Sequence, residues 1–243
     1  SPLLPMLGFL LLLQGGVQLP APTGFVNDFA GVLPAELRPR FCGVHFFNPP
    51  RYMHLAELIP AKTTEGWVLD ELEAFLTTAL GKGVVRAKDT PNFIGNRIGV
   101  FSMLATMHHT TAFGLGFDTA DALTGPAIGR PKSATYRTAD VVGLDTMVHV
   151  IGTMADTLPD DPWHRHFKAP EWLQALVDKG ALGQKSGSGI YRKQGKQILV
   201  LDLEQQDYQP SVQEAAPEVA VILRERDPAK KFAALRGSED PQA

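Results

Sequence analysis

Two short apolar runs, Phe41-Cys-Gly-Val-His-Phe-Phe47 and His54-Leu-Ala-Glu-Leu-Ile59, stand either side of Asn48-Pro-Pro50 and constrain this chain more than any other stretch. Short apolar runs bounded by turn residues read as buried strands, and proline ends the first because it has no N–H to give a ladder. Val68, Leu69, Leu72, Phe75, Leu76, Ala79 and Leu80 then recur at helical spacing, closed by Gly81 and Gly83. Val84–Ala87 gives another strand. Residues 41 to 88 therefore alternate strand and helix as the last part of an α/β domain does, without its opening.

Beyond Pro91 the pattern turns helical, over Phe93–Phe113, Thr119–Leu123, Ala139–Met154 and Glu171–Lys179, with glycine or proline between the segments. A glycine-rich turn, Gly183-Gln-Lys-Ser-Gly-Ser-Gly189, precedes Ile190-Tyr191, and from about Asp202 proline, glutamine and charge dominate. The expected organisation is an apolar and proline-rich segment over 1–32, the end of an α/β domain over 33–90, a helical domain over 91–192 and a linker-like tail over 193–243.

With 243 residues, 44% of them hydrophobic and 20% charged, the chain can bury a core of one large or two small domains. Its net charge of -3 comes from interspersed charges, which excludes the basic stripe of a nucleic-acid binder. Cys42 is the only cysteine and the seven histidines are scattered, so neither an internal disulfide nor a zinc cluster is expected. A reducing compartment, the cytoplasm, follows.

The N-terminus pulls the other way. Leu3–Leu13 is almost continuously apolar and leads into Leu19-Pro-Ala-Pro-Thr23, like the core of a signal peptide. It falls short of the roughly 20 apolar residues that a stable membrane span needs. No positive residue precedes it and there is no initiator methionine, so the chain starts mid-sequence or was processed. Gly24-Phe-Val-Asn-Asp-Phe-Ala-Gly31 resembles the opening of a secreted domain family known as TPM.

His45 and Glu57 lie inside the two apolar runs. A buried, uncompensated carboxylate costs several kcal/mol, and a partner on the neighbouring strand removes that cost. A histidine held by a glutamate through one ring nitrogen keeps the other free, which is the arrangement of a general base. The competing reading is a packed core histidine beside a glutamate that points outward from an edge strand.

Three further stretches decide between them. Phe41–Pro60, Asp89-Thr-Pro-Asn-Phe-Ile-Gly-Asn-Arg97 and Thr138-Ala-Asp-Val-Val-Gly-Leu-Asp145, in that order, closely resemble 3-hydroxyacyl-CoA dehydrogenases, above all the large bacterial members that continue into further domains. The likeness runs from about Leu33 to Ala243 and includes Lys185-Ser-Gly-Ser-Gly-Ile-Tyr191. The resemblance implies the C-terminal strands and helix of a Rossmann-type domain, followed by an all-α dehydrogenase C-terminal domain through which a homodimer can form. It implies oxidation of the C3 hydroxyl of a 3-hydroxyacyl-CoA with NAD, a step of fatty acid β-oxidation. Position by position, His45 takes the place of the family's catalytic base and Glu57 that of the carboxylate orienting it. Asn96 takes that of the asparagine hydrogen-bonded to substrate, and Lys185 that of a lysine near the nucleotide.

Departures matter too. No G-x-G-x-x-G occurs, so the helix N-terminus that cradles pyrophosphate in such enzymes has no counterpart in the sequence. Val26–Val32 stands where the family has a serine-bearing turn, and His108-His109-Thr110 stands where acidic and helix-favouring residues are usual. Adjacent residues point to different sides of a helix, which argues against a joint metal site for the two histidines. The expectation is a dehydrogenase core with impaired NAD binding. The alternatives are a non-enzymatic binding or dimerisation remnant and an exported protein with a TPM-like N-terminus.

Overall fold

The computed structural model describes residues 8–13, 25–47, 50–240 and 242–243. The proline-rich stretch Leu19–Thr23, the start of the apolar N-terminus at Leu3 and the turn residues Asn48 and Pro49 lie outside them. The chain divides into two units, Ser1–Gly99 with Asp156–Asp160, and Val100–Ala155 with Asp161–Ala243.

In the first unit, β1 (Gly8–Leu13), β2 (Phe41–Phe46), β3 (Leu55–Pro60) and β4 (Gly83–Arg86) form one sheet in that order. β1 runs parallel to β2, β2 antiparallel to β3 and β3 parallel to β4. Part of the signal-like apolar run is thus a sheet strand. The helices α1 (Phe25–Val32) and α2 (Gly66–Thr78) belong to the same unit.

Strand periodicity sorts the side chains. Cys42, Val44 and Phe46 of β2, with Ala56 and Leu58 of β3, pack against Val68, Leu69, Leu72 and Leu76 of α2. The alternate residues Phe41 and Ile59 pack with Val26 and Ala30 of α1. Every residue of β2 is therefore buried, and this is why its sequence reads as a continuous apolar run instead of an alternating one. His45 and Glu57 belong to the face opposite α2.

The second unit holds most of α3 (Gly95–Ala112), then α4 (Phe117–Leu123), α5 (Tyr136–Val142), α6 (Leu144–Thr157) and α7 (Glu171–Asp178). The single helix expected over Ala139–Met154 is two, because Gly143 breaks it with φ +100°, a conformation that glycine adopts without strain.

The expectation of a linker-like tail gives way to structure. β5 (Tyr191–Gln194), β6 (Gln197–Asp202) and β7 (Asp207–Pro210) form an antiparallel sheet, followed by α8 (Pro217–Ile222) and α9 (Pro228–Arg236). Gly195, at φ +61°, makes the first hairpin turn, and Leu199 and Val200 are buried. Asp227 starts α9 by accepting hydrogen bonds from the Ala229 and Lys230 amides. The short Ile198–Leu201 apolar run was outweighed in the sequence by the charges and glutamines around it.

Candidate active site

His45 on β2 and Glu57 on β3 are direct partners in the antiparallel register, so their side chains leave the same face of the sheet side by side. Nδ1 of His45 lies 2.6 Å from Oε2 of Glu57, and both side chains are almost wholly buried. The carboxylate's other oxygen, Oε1, accepts from the backbone N–H of Ile94 at 3.0 Å and of Gly95 at 2.7 Å. These amides open α3, where unsatisfied N–H groups and the helix dipole favour a negative charge. Glu57 thus satisfies three donors, which offsets the desolvation of a buried carboxylate.

Apolar rings fix the imidazole. Phe47 lies 4.5 Å and Phe93 5.4 Å from it, centroid to centroid. Gly95 has to be glycine, since a Cβ there would overlap the Phe47 ring and press on Leu55. With Nδ1 committed to Glu57, Nε2 is the ring nitrogen able to exchange a proton.

Asp89, the first residue of the second motif, accepts from the Val26 and Asn27 amides and from Nδ2 of Asn27, at 3.2, 2.8 and 2.6 Å. The motif is therefore tied down at both ends, by α1 through Asp89 and by Glu57 through Ile94 and Gly95. Asn96, half-buried, follows Gly95 in the first turn of α3. The Ile94 and Gly95 amides and the two phenylalanine rings escape a reading of ionisable residues. The signal available for them was the motif Asp89–Arg97 itself.

Lys185 belongs to the second unit, and the residues that build the His45 pair belong to the first. Its Nζ forms an ion pair with Asp145 at 2.6 Å, and this lysine holds the Asp145 carboxyl below its usual range. Asp140 accepts from the Ile190 and Tyr191 amides at 2.9 and 2.8 Å. The two stretches Thr138–Asp145 and Lys185–Tyr191 are thus one structural feature, joined by two acidic side chains. Asp121, buried beneath them, accepts from the amides of Thr135, Tyr136 and Arg137 and from the Tyr191 hydroxyl. Burial pushes its carboxyl above the ordinary value, with those donors opposing.

Among the described residues no group of three His, Cys, Asp or Glu side chains is placed to hold a metal ion. His108 and His109 sit with ring centroids 5.3 Å apart, and His166 is 6.0 Å from His108. Burial raises the Cys42 thiol to about 11. No helix among the described residues is long and apolar enough to cross a membrane.

Residues 27–90 match the NAD binding domain of 3-hydroxyacyl-CoA dehydrogenase and residues 93–193 match its C-terminal domain. The chain belongs to the 3-hydroxyacyl-CoA dehydrogenase family. The match reaches back to residue 27, ahead of Leu33, and takes in most of α1.

A probable 3-hydroxyacyl-CoA dehydrogenase of Bacillus subtilis is 42% identical over 215 residues, 88% of this chain and 27% of that protein. Another, of Deinococcus radiodurans, is 47% identical over 158 residues, 65% of this chain and 45% of that protein. The crystal structure of Mycobacterium tuberculosis FadB2 superposes with a TM-score of 0.60 at 30% identity, covering 70% of this chain and 57% of that one. The chain spans less than half the length of these two curated relatives.

The matched NAD binding part is the end of that domain bearing the His–Glu pair. The sequence contains no G-x-G-x-x-G, and the ammonium of Lys185 is engaged with Asp145. The matched domain is an NAD binding one, and the glycine loop that cradles a dinucleotide is not among the residues of this chain.

Proposed function

We propose that the chain carries the proton-transfer site of a 3-hydroxyacyl-CoA dehydrogenase of fatty acid β-oxidation, interconverting 3-hydroxyacyl-CoA and 3-ketoacyl-CoA. The 2.6 Å His45–Glu57 pair, with Glu57 also held by the Ile94 and Gly95 amides, carries this reading. His45 takes the C3 hydroxyl proton at Nε2 as the carbonyl forms. Glu57 stabilises the imidazolium and fixes its tautomer, which makes it a positioning residue. Asn96, at the head of α3, hydrogen-bonds the substrate oxygen. In this family NAD supplies the hydride acceptor, and Lys185 is the proposed nucleotide-side cation of this chain.

Calorimetric binding of acetoacetyl-CoA, together with NADH formation from 3-hydroxybutyryl-CoA, tests the assignment. Binding by the wild-type chain, with any turnover abolished in His45→Ala, is the expected result. Absence of both in the wild type, or turnover indifferent to His45→Ala, overturns it.

A second copy of the chain is the proposed protein partner. Within the second unit Phe113 and Trp163 are exposed, and open clefts of about 350 and 520 Å³ flank α3. Such an apolar surface suits self-association through the helical domain, and sedimentation velocity reads it as a dimer. The cytoplasm is the proposed location, in keeping with a single, buried, unpaired cysteine.

A further inference from the structure

The smaller of the two clefts beside α3, about 350 Å³, lies within the second unit and is walled by apolar side chains, Phe101, Phe113, Leu115 and Leu123 among them. Its volume falls in the range of small-molecule sites, roughly 300–1,000 Å³. Arg130 lines the same cleft. Its half-buried guanidinium is fixed in place, Nη1 donating to the Thr135 hydroxyl at 3.1 Å and Nη2 to the Ser102 hydroxyl.

A partly desolvated charge is costly alone, and a guanidinium so placed usually meets a carboxylate. Among the described residues Arg130 meets none, since both its partners are neutral hydroxyls. Asp121, bonded to the Thr135 amide, is occupied by the Tyr136 and Arg137 amides and the Tyr191 hydroxyl as well. His109 is the one other ionisable side chain among the described residues that line the cleft. The cleft thus carries positive charge and no negative charge, and its apolar walls strengthen the pull on an anion. Self-association through apolar contact would leave the guanidinium without a counter-charge, so the dimer proposed above does not account for it.

We propose that this cleft binds a small amphiphilic carboxylate, its apolar body against Phe101, Phe113 and Leu123 and its carboxylate on Arg130. Two of the five guanidinium N–H donors are used by Thr135 and Ser102, which leaves three for the ligand. The planar fork suits a carboxylate better than a point charge does. The two hydroxyls hold it in position before the ligand arrives, which lowers the ordering cost of binding. The apolar walls disfavour a fully hydrated inorganic anion, so body and charge are both required. The site lies in the second unit and is independent of the dehydrogenase reading of His45.

The test titrates octanoate, 1-octanol and acetate into the wild-type chain and into Arg130→Gln and Phe113→Ser, by calorimetry, with the Arg130 Nε–H signal followed by 1H–15N NMR. The wild type is expected to bind octanoate about tenfold more tightly than 1-octanol, as a charge-assisted hydrogen bond provides, and acetate not measurably. The Arg130 signal moves with octanoate. Arg130→Gln keeps the affinity for 1-octanol and loses the preference for octanoate. Phe113→Ser, at an exposed position, weakens both and keeps the preference. No preference in the wild type, a stationary Arg130 signal at saturating octanoate, or a preference that survives Arg130→Gln overturns the proposal. Loss of a dimer in Arg130→Gln without any octanoate preference in the wild type also overturns it, and assigns the cation to a carboxylate of a second copy. Should Arg130→Gln fail to fold, the wild-type Arg130 signal and Phe113→Ser decide. None of these outcomes bears on acetoacetyl-CoA binding or on turnover through His45.

Discussion

His45 and Glu57 face each other across the β2–β3 ladder, and the carboxylate stands between the imidazole and the first amides of α3. One oxygen serves the ring and the other serves the backbone. The tautomer of a histidine and the seating of a helix are thereby decided by one side chain. A change at Glu57 therefore acts on the chemistry and on the local fold by separable routes.

Glu57→Gln separates them. The amide oxygen must face the Ile94 and Gly95 N–H groups, because an NH2 group only donates and offers them no acceptor. The NH2 group then faces Nδ1 of His45, which has to become an acceptor, so the ring proton moves to Nε2. The fold is kept and the base is lost, lowering turnover by about 10²-fold or more. Long-range 1H–15N correlation spectra should show Nδ1 protonated in the wild type and Nε2 protonated in the variant. The same tautomer in both forms overturns the pairing.

Gly95→Ala acts by the other route. The new methyl overlaps Phe47, so either that ring moves off His45 or the start of α3 lifts from Glu57. Overpacking of this kind costs roughly 1–3 kcal/mol. The expected outcome is faster hydrogen exchange at the Ile94 amide, by about tenfold or more, and a lower melting temperature. Unchanged protection at Ile94 counts against the Glu57 anchor.

The first unit was legible because β2 and β3 are short apolar runs. In such runs His45 and Glu57 are each costly alone, so their pairing follows from burial. The third leg of the arrangement was not legible, since the Ile94 and Gly95 amides are backbone groups that leave no mark in residue type. The ion pair of Lys185 was not legible either: its partner Asp145 is 40 residues away in sequence and belongs to another motif. The β5–β7 sheet was hidden for a different reason. Only Ile198–Leu201 is apolar there, and the segment is held in part by Asp118, which accepts from the Val212 and Gln213 amides at 2.9 and 3.1 Å.

Asp121→Ala should be among the most damaging changes in the second unit. It leaves the Thr135, Tyr136 and Arg137 amides and the Tyr191 hydroxyl without their acceptor. Unsatisfied buried donors cost about 1–3 kcal/mol each, and partial hydration keeps the total near roughly 3 kcal/mol. Asp121→Asn should cost less, since Oδ1 still accepts from the Thr135 and Tyr136 amides and the Tyr191 hydroxyl can reverse to accept from Nδ2, which leaves the Arg137 amide alone without its acceptor. Urea unfolding of both variants ranks them, and an alanine variant as stable as the asparagine one sinks the argument.

Asp140 gives the second unit a pH dependence of unusual sign for a carboxylate. Burial pushes its carboxyl from 3.8 up to about 6, with the Tyr191 and Ile190 amides opposing. The folded chain therefore holds a proton that the unfolded chain releases. The stabilisation from this group is fully present below about pH 4 and is lost as pH rises through 6. At 1.36 kcal/mol per pKa unit it amounts to about 3 kcal/mol. Asp140→Asn is neutral throughout and removes the dependence, although its NH2 group cannot accept from one of the two amides, which lowers stability by a pH-independent amount. Unfolding free energies measured between pH 4 and 7 should therefore converge as pH rises, the wild type losing its advantage over the variant. Parallel pH profiles for the two proteins would show that Asp140 stays ionised in the fold and that its two amide bonds outweigh burial.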